Sequence, residues 1–291
     1  MSLKEKLDSS LFAVTAEIAP PKGSDPEKSL ATAEKIAGRV DGINVTDNQR
    51  AVVRMSALAF CKHLIDAGCE PILQVCGRDR NRLAIQSDLL GAYSFGIKNI
   101  CLMTGDHTAL GDAPGAKPVF DLDSVQLIRM ATDLSRGISI TGQKLKNFPD
   151  FLIGGVINPF YNPIEMEMLK TRKKISAGAS FFQTQPFFDT ASLKAFIDTV
   201  KPLNTKILVG ITPIKSLTMA AFLNDNVLTT PIPDNLMKRI EGAKDQAGEG
   251  LKIAAELVNE IKSGIDGVSG VHLMPIGQVE KLPMLLEMIG C

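Results

Sequence analysis

The chain has no surplus of either charge: its 291 residues carry 32 lysines and arginines against 32 aspartates and glutamates. It therefore offers no net field to draw in a nucleic-acid backbone or an anionic membrane surface. No apolar run approaches the roughly 20 residues of a membrane-spanning helix, so membrane insertion is not expected. The start, Met1-Ser-Leu-Lys-Glu-Lys, is charged and leads into no signal-type apolar stretch, which predicts a cytoplasmic protein. Cysteines are few, and Cys61, Cys69, Cys76, Cys101 and Cys291 are odd in number with no CxxC pair. Neither a zinc site nor a disulfide framework is indicated. Cys76 and Cys101 stand at or inside apolar runs and read as small buried hydrophobes. With only three histidines, His63, His107 and His272, no metal centre is expected. Chemistry must come from carboxylates, amides, lysines or a cofactor.

What the chain does have is a repeated two-stroke rhythm. Short apolar runs predict strands over Phe12–Glu17, Gly42–Thr46, Pro71–Val75, Asn99–Met103, Phe151–Val156, Phe181–Gln185, Lys206–Ile211 and Gly270–Met274. Between them, helical spacing predicts Pro26–Gly38, Ala51–Ala67, Arg80–Phe95, Asp123–Leu134, Pro163–Ala177, Thr190–Val200, Lys215–Leu223 and a long helix within Pro233–Ser263. Three of these end on a glycine stop, at Ala67-Gly68, Phe95-Gly96 and Ala177-Gly178. Strands that each lead into a helix, at this length, match an α/β (β/α)8 TIM barrel, expected as one catalytic domain over residues 1–291. The competing fold, an open doubly wound sheet, wants a glycine-rich turn after its first strand. Here Glu17 is followed by Ile-Ala-Pro-Pro-Lys-Gly. A long loop over Thr104–Asp123 and a turn at Thr229–Asp234 complete the organisation.

In a barrel the C-terminal strand ends and the loops after them form the catalytic face. Those ends supply Glu17, Thr46 with Asp47 and Asn48, Gln74, Thr104 with Asp106 and His107, Asn158, Thr184 with Gln185, Thr212 and His272. Most are neutral hydrogen-bonding groups. They suit a planar heterocycle such as a flavin or a pterin better than a phosphoryl-transfer or divalent-metal centre. Glu17 follows an apolar run and reads either as a proton donor kept protonated by burial or as a hydrogen-bonded lining carboxylate. Asp106, next to Gly105, reads as a functional acid or as a turn cap. Lys170, Arg172, Lys173 and Lys174 read by default as a solvated helix face. Phe187 reads by default as core, with ring stacking on a ligand as the alternative.

Five segments taken together resemble the methylenetetrahydrofolate reductase family. They are Glu17-Ile-Ala-Pro-Pro-Lys, Asn44-Val-Thr46-Asp, Thr104-Gly-Asp106, Lys173-Lys174-Ile-Ser-Ala-Gly-Ala179 and Gln183-Thr-Gln185-Pro-Phe-Phe-Asp189. The resemblance runs from about residue 10 to about residue 225 and continues faintly through Gly270–Leu273. It implies a flavin-containing barrel that reduces 5,10-methylenetetrahydrofolate to 5-methyltetrahydrofolate, or runs the reverse. It implies that Glu17 protonates the folate to open its five-membered ring, giving an iminium that accepts hydride from flavin N5. Asp106 then lies by the flavin pyrimidine edge, with Gly105 and His107 beside it, and Thr46 bonds to the flavin. Gln74, Thr104 and Asn158 fall at flavin-lining positions, and Glu167, Lys170 and Lys174 at the cofactor's ribose and phosphate. Gln185 reads the pterin, with Phe187 as its stacking neighbour and Gln278 on the folate and nicotinamide face. The implied cofactor is FAD, with FMN as the alternative.

The chain departs from the family pattern at five positions: Gln74 for a histidine, Thr104 for an arginine, Asn158 and Asn162 for larger rings, and Gln278 for an arginine. These departures weaken an NAD(P)H site and point to a short, anaerobe-type reductase fed by an electron-transfer partner subunit, as part of an oligomer. Two other classes compete: a methyltetrahydrofolate-dependent methyltransferase barrel without flavin, and a non-catalytic barrel subunit.

Overall fold

The computed structural model describes residues 1–226 and 232–291. Thr229, Thr230 and Pro231 of the expected turn lie outside the described residues. The strands are β1 (Ala13–Ile18), β2 (Gly42–Val45), β3 (Pro71–Cys76), β4 (Asn99–Met103), β5 (Leu152–Ile157), β6 (Phe181–Pro186), β7 (Lys206–Ile211) and β8 (Gly270–Leu273). All pair in parallel and in chain order, and β8 returns to β1, so they close an eight-stranded barrel. The helices are α1 (Leu3–Asp8), α2 (Glu27–Ile36), α3 (Ala57–Asp66), α4 (Arg82–Ser94), α5 (Ser124–Ser135) and α6 (Ile164–Ala177). They continue as α7 (Thr190–Val200), α8 (Leu217–Asn226), α9 (Asp234–Gly242), α10 (Gln246–Gly264) and α11 (Leu282–Met288). The expected (β/α)8 barrel is the observed fold.

The period of two along each strand divides its side chains between two cores. Val14, Ala16, Ile43, Val45, Leu73 and Val75 face outward and pack beneath the helices. Ala13, Ile72, Cys101, Leu152, Phe181 and Leu208 face inward and form the barrel floor. Phe181 fills the centre of that floor because β5 carries Gly154 beside it. A Cβ at Gly154 would come within 2.3 Å of the Phe181 ring. Leu3 and Leu7 of α1 plug the floor from below. Glu70 accepts from the Leu3 amide at 3.0 Å and from Asn99 Nδ2 at 2.8 Å, and Lys6 pairs with Asp41 at 2.8 Å.

Sequence reasoning left α11 and three further details of this fold unread. The N-terminal stretch carries α1, whose signal was the Ser2-x-x-Glu5 capping box formed there. The helix expected from Ala51 begins only at Ala57. Residues Gln49–Ala51 instead make a short 3-10 turn in which Arg50 and Ala51 take left-handed backbone, φ 56° each. The long final helix is two, since Asp245 accepts from Gly248 N at 3.0 Å and starts α10 afresh. The glycine stops are where the spacing placed them: Gly68, Gly96 and Gly178 have φ of 75°, 90° and 119°.

Candidate active site

Above the apolar floor the inward positions become polar. Asn44 of β2 and Gln183 of β6 meet across the barrel as a reciprocal amide pair, with bonds of 2.7 and 3.1 Å. Beside them Thr15 Oγ1 lies 3.0 Å from His272 Nδ1 and 3.3 Å from the Val271 carbonyl. One layer higher, Glu17 reaches the mouth with its side chain 11% exposed. Its Oε2 lies 3.8 Å from His272 Nε2, and its Oε1 accepts from Gln49 Nε2 at 3.1 Å. The closure of β8 onto β1 creates this Thr15–His272–Glu17 column. Sequence reasoning named Glu17 and noted His272, but missed Thr15, Asn44 and Gln183, whose signal was period-two polarity inside apolar strands.

The hydrogens of this column can be assigned from its partners. If the Thr15 hydroxyl donates to the Val271 carbonyl, its oxygen accepts from His272 Nδ1–H. A neutral imidazole in that tautomer turns a lone pair on Nε2 toward the Glu17 carboxylate. Two acceptors face each other, and the pair becomes complementary when one proton resides on the carboxyl or on the ring.

A second polar cluster occupies the ends of β2, β3 and β4. Asp47 is buried and accepts from the Cys76 amide at 2.9 Å and from Arg80, whose other nitrogen reaches Asp88 at 3.1 Å. Burial pushes the Asp47 carboxyl up, against the opposing pull of Arg80. Arg78 is buried beside it and pairs with Asp79. Gly105 turns at φ 88°, and a Cβ there would press within 3.2 Å of Cys76. Asp106, just beyond, is exposed at the mouth.

The other expected site residues fall into three groups. Thr46 and Gln74 are buried at the upper ends of β2 and β3, and Gln185 is exposed at the end of β6. Thr46 Oγ1, Thr212 Oγ1 and Gln278 Oε1 are buried polar atoms with no hydrogen-bond partner among the described residues. Several residues have local partners. Thr104 Oγ1 accepts from Ser124 N at 3.1 Å, and exposed His107 accepts from Ala109 N at 3.1 Å. Asn158 N donates to Glu167 at 3.1 Å, and Gln278 Nε2 donates to the Pro213 carbonyl at 2.9 Å.

Two expectations need correction. Phe187 does not line the mouth: its ring is 1% exposed and packs between Phe160 and Phe196, with centroids 5.0 and 5.6 Å away. The next residue after the β6 end points outward beneath the helices, and burial of a full aromatic face decides its place. Lys174 is not part of a solvated face. It is 2% exposed and donates to the Val156 carbonyl, and burial pulls its ammonium below the usual lysine range. Lys170, Arg172 and Lys173 are exposed as the helical spacing predicted. Arg172 and Lys173 border a cleft of about 550 Å³ on the outer flank between α5 and α6, away from the mouth.

Comparison with known proteins shows the family of the chain. The family model described as methylenetetrahydrofolate reductase matches residues 2–290. The chain belongs to that family. It is 22% identical over 286 residues to 5,10-methylenetetrahydrofolate reductase of Escherichia coli K12, covering 95% of this chain and 90% of that one. It is 30% identical over 163 residues to methylenetetrahydrofolate reductase (NADH) 1 of Arabidopsis thaliana, covering 52% of this chain and 26% of that one. In structure it is similar to a Clostridium thermocellum protein described as binding two copies of 5-methyl-5,6,7,8-tetrahydrofolic acid. That match has a TM-score of 0.66 at 18% identity, over 99% of this chain and 97% of the other. The chain is thus an enzyme of the methylenetetrahydrofolate reductase family on a TIM barrel, and among the described residues no helix is long and apolar enough to cross a membrane.

Proposed function

We propose that the chain interconverts 5,10-methylenetetrahydrofolate and 5-methyltetrahydrofolate with a bound flavin, FAD in preference to FMN, and with Glu17 as the proton donor. The Thr15–His272–Glu17 column carries this reading. It sets a carboxyl at the open end of the barrel, backed from below by the buried Thr15–His272 pair, where a substrate amine can meet it. Gln49 braces the other carboxyl oxygen. As the acid, Glu17 would hand a proton to a substrate amine above it, while His272 and Gln49 hold its carboxyl in place. Gln185, exposed at the neighbouring mouth position, is suited to reading the pterin amide edge.

The residues present fit a flavin. Three buried polar atoms at the ends of β2, β7 and β8, on Thr46, Thr212 and Gln278, lack partners among the described residues, as expected where a heterocycle's donors and acceptors complete the site. Thr46 would bind the ring system, Gly105 and Asp106 would flank its pyrimidine edge, and His107 and Asn158 would border it. On α6, Lys170 is exposed, as are Arg172 and Lys173, and it is the one that the family resemblance sets at a cofactor phosphate. Lys174 and Glu167 would act through the β5 backbone they hold. A bound flavin supplies hydride transfer, which no side chain here can perform. The negative charge of Asp106 favours the cationic folate that Glu17 creates.

Gln278 is neutral, and its amide nitrogen is committed to Pro213, which leaves no positive charge there for a dinucleotide pyrophosphate. We therefore assign electron supply to a redox partner protein in preference to NAD(P)H. The test is anaerobic: flavin-reconstituted protein is mixed with 5-methyltetrahydrofolate, then separately with NADH, while flavin absorbance is followed. Bleaching by the folate and slow or no bleaching by NADH are expected. A protein that takes up no flavin yet transfers the folate methyl group would establish the methyltransferase reading instead. Rapid, complete bleaching by NADH alone would remove the partner.

A further inference from the structure

Arg78 lies two residues beyond β3, in Cys76-Gly-Arg-Asp-Arg, and its side chain is 1% exposed. A guanidinium withdrawn from water persists only when its N–H groups find partners. Here Nε and Nη2 donate to the two carboxylate oxygens of Asp79, at 2.7 Å each. Nη2 also donates to the Asn48 carbonyl at 3.1 Å, and Nη1 to the Asp106 carbonyl at 3.2 Å. One side chain thereby ties together the loops that follow β2, β3 and β4. Asp79 balances its charge, so the clamp leaves the Asp106 carboxylate un-neutralised.

Asn48 is left-handed at φ 44°, a conformation that endures in a residue with a side chain where surrounding contacts over-determine it. Gly105, just before Asp106, turns at φ 88°, which a glycine adopts freely, so its direction is fixed by contacts from outside the turn. A Cβ on Gly105 would lie 3.4 Å from the Arg78 Cβ, so the end of β4 rests directly on this residue. The bond from Arg78 is the single hydrogen bond that Asp106 makes among the described residues.

We propose that Arg78 is the positioning residue for Asp106: its buried guanidinium sets where the Asp106 carboxylate stands, and so how strongly that carboxylate acts on a bound flavin. The proposal rests on the flavin reading above. Two measurements on the full chain separate the two ideas. The first needs no flavin: hydrogen–deuterium exchange over residues 109–111, whose amides are hydrogen-bonded at 3.1 Å just beyond Asp106, in the wild type, Arg78→Met, Arg78→Lys and the charge-balanced pair Arg78→Met/Asp79→Leu. The last keeps the question open should the single variant fail to fold, since it removes the Asp79 carboxylate together with the guanidinium that pairs with it. Exchange at least tenfold faster in both Met variants, with partial rescue by Lys, is expected. Unchanged exchange in the folded variants overturns the proposal whatever cofactor is bound.

The second is a double-mutant cycle on the midpoint potential of flavin-loaded protein, using Asp106→Asn with and without Arg78→Met/Asp79→Leu. Asp106→Asn should raise the potential in the otherwise wild-type chain, and by less than half as much once Arg78 is gone. An equal rise in both backgrounds overturns the positioning role even if Arg78 stabilises the fold. Failure of the wild type to retain flavin would count against the flavin reading and leave the exchange result to decide Arg78.

Discussion

The floor and the mouth of this barrel are built by the same strands a few residues apart, yet they are different chemical places. On β1, Ala13 is sealed under α1 while Glu17, mostly buried, reaches the rim; on β6, Phe181 fills the floor while Gln185 is exposed. The floor has an apolar side chain from each contributing strand and a helix to close it. The mouth has carboxylates, amides and hydroxyls, three of which lack partners among the described residues. Burying apolar area holds the molecule together from below. It allows the upper layer to keep unpaired and facing acceptors that would weaken a smaller core. The layer between, with Asn44 and Gln183, is buried like the floor but polar like the mouth, and it works because each amide satisfies the other.

The comparison can be broken at the floor first. Phe181→Ala should destabilise the fold by about 3–5 kcal/mol, since Gly154 and its neighbours cannot collapse into the space. Urea unfolding measures this, and the folded fraction should still respond to folate. At the mouth the effect should invert: Glu17→Gln should lower folate turnover by about 10²-fold or more. Its unfolding midpoint should stay near that of the wild type, and near-normal turnover would remove Glu17 as the acid.

The middle layer sharpens the contrast. Asn44→Ala strands the Gln183 amide in the barrel and should cost about 1–3 kcal/mol, while Asn44→Leu with Gln183→Leu should recover much of that loss. A pair substitution as damaging as the single one would show that the amide bridge is not what matters there. The smallest effect concerns reactivity. Burial raises the Cys101 thiol to about 12 and lifts those of Cys61 and Cys76 as well, whereas Cys291 is partly exposed. Near neutral pH a thiol reagent should therefore modify Cys291 quickly and the buried cysteines only on unfolding, as read by mass spectrometry.

The sequence by itself determined the eight barrel strands and most of the helices between them. Strand ranges such as Asn99–Met103 and Lys206–Ile211 are the observed ones, and the others agree to within a residue at either end, because alternation and glycine stops are local properties. Local reasoning also marked the strand ends as the place for chemistry, and Glu17 and Asp106 are at that rim. It read Phe187 as core by default, where the ring is, although the family resemblance set it beside a ligand, and it misplaced Lys174, because whether a ring or an ammonium faces a ligand, a helix or a carbonyl depends on packing between elements. Tertiary structure alone decided the partnerships. Asn44 meets Gln183 from 139 residues away, His272 reaches Glu17 because β8 closes onto β1, and Arg78 joins three loops at once. No local pattern encodes such contacts, since they follow from the closure and register of the whole barrel, which only the folded chain possesses.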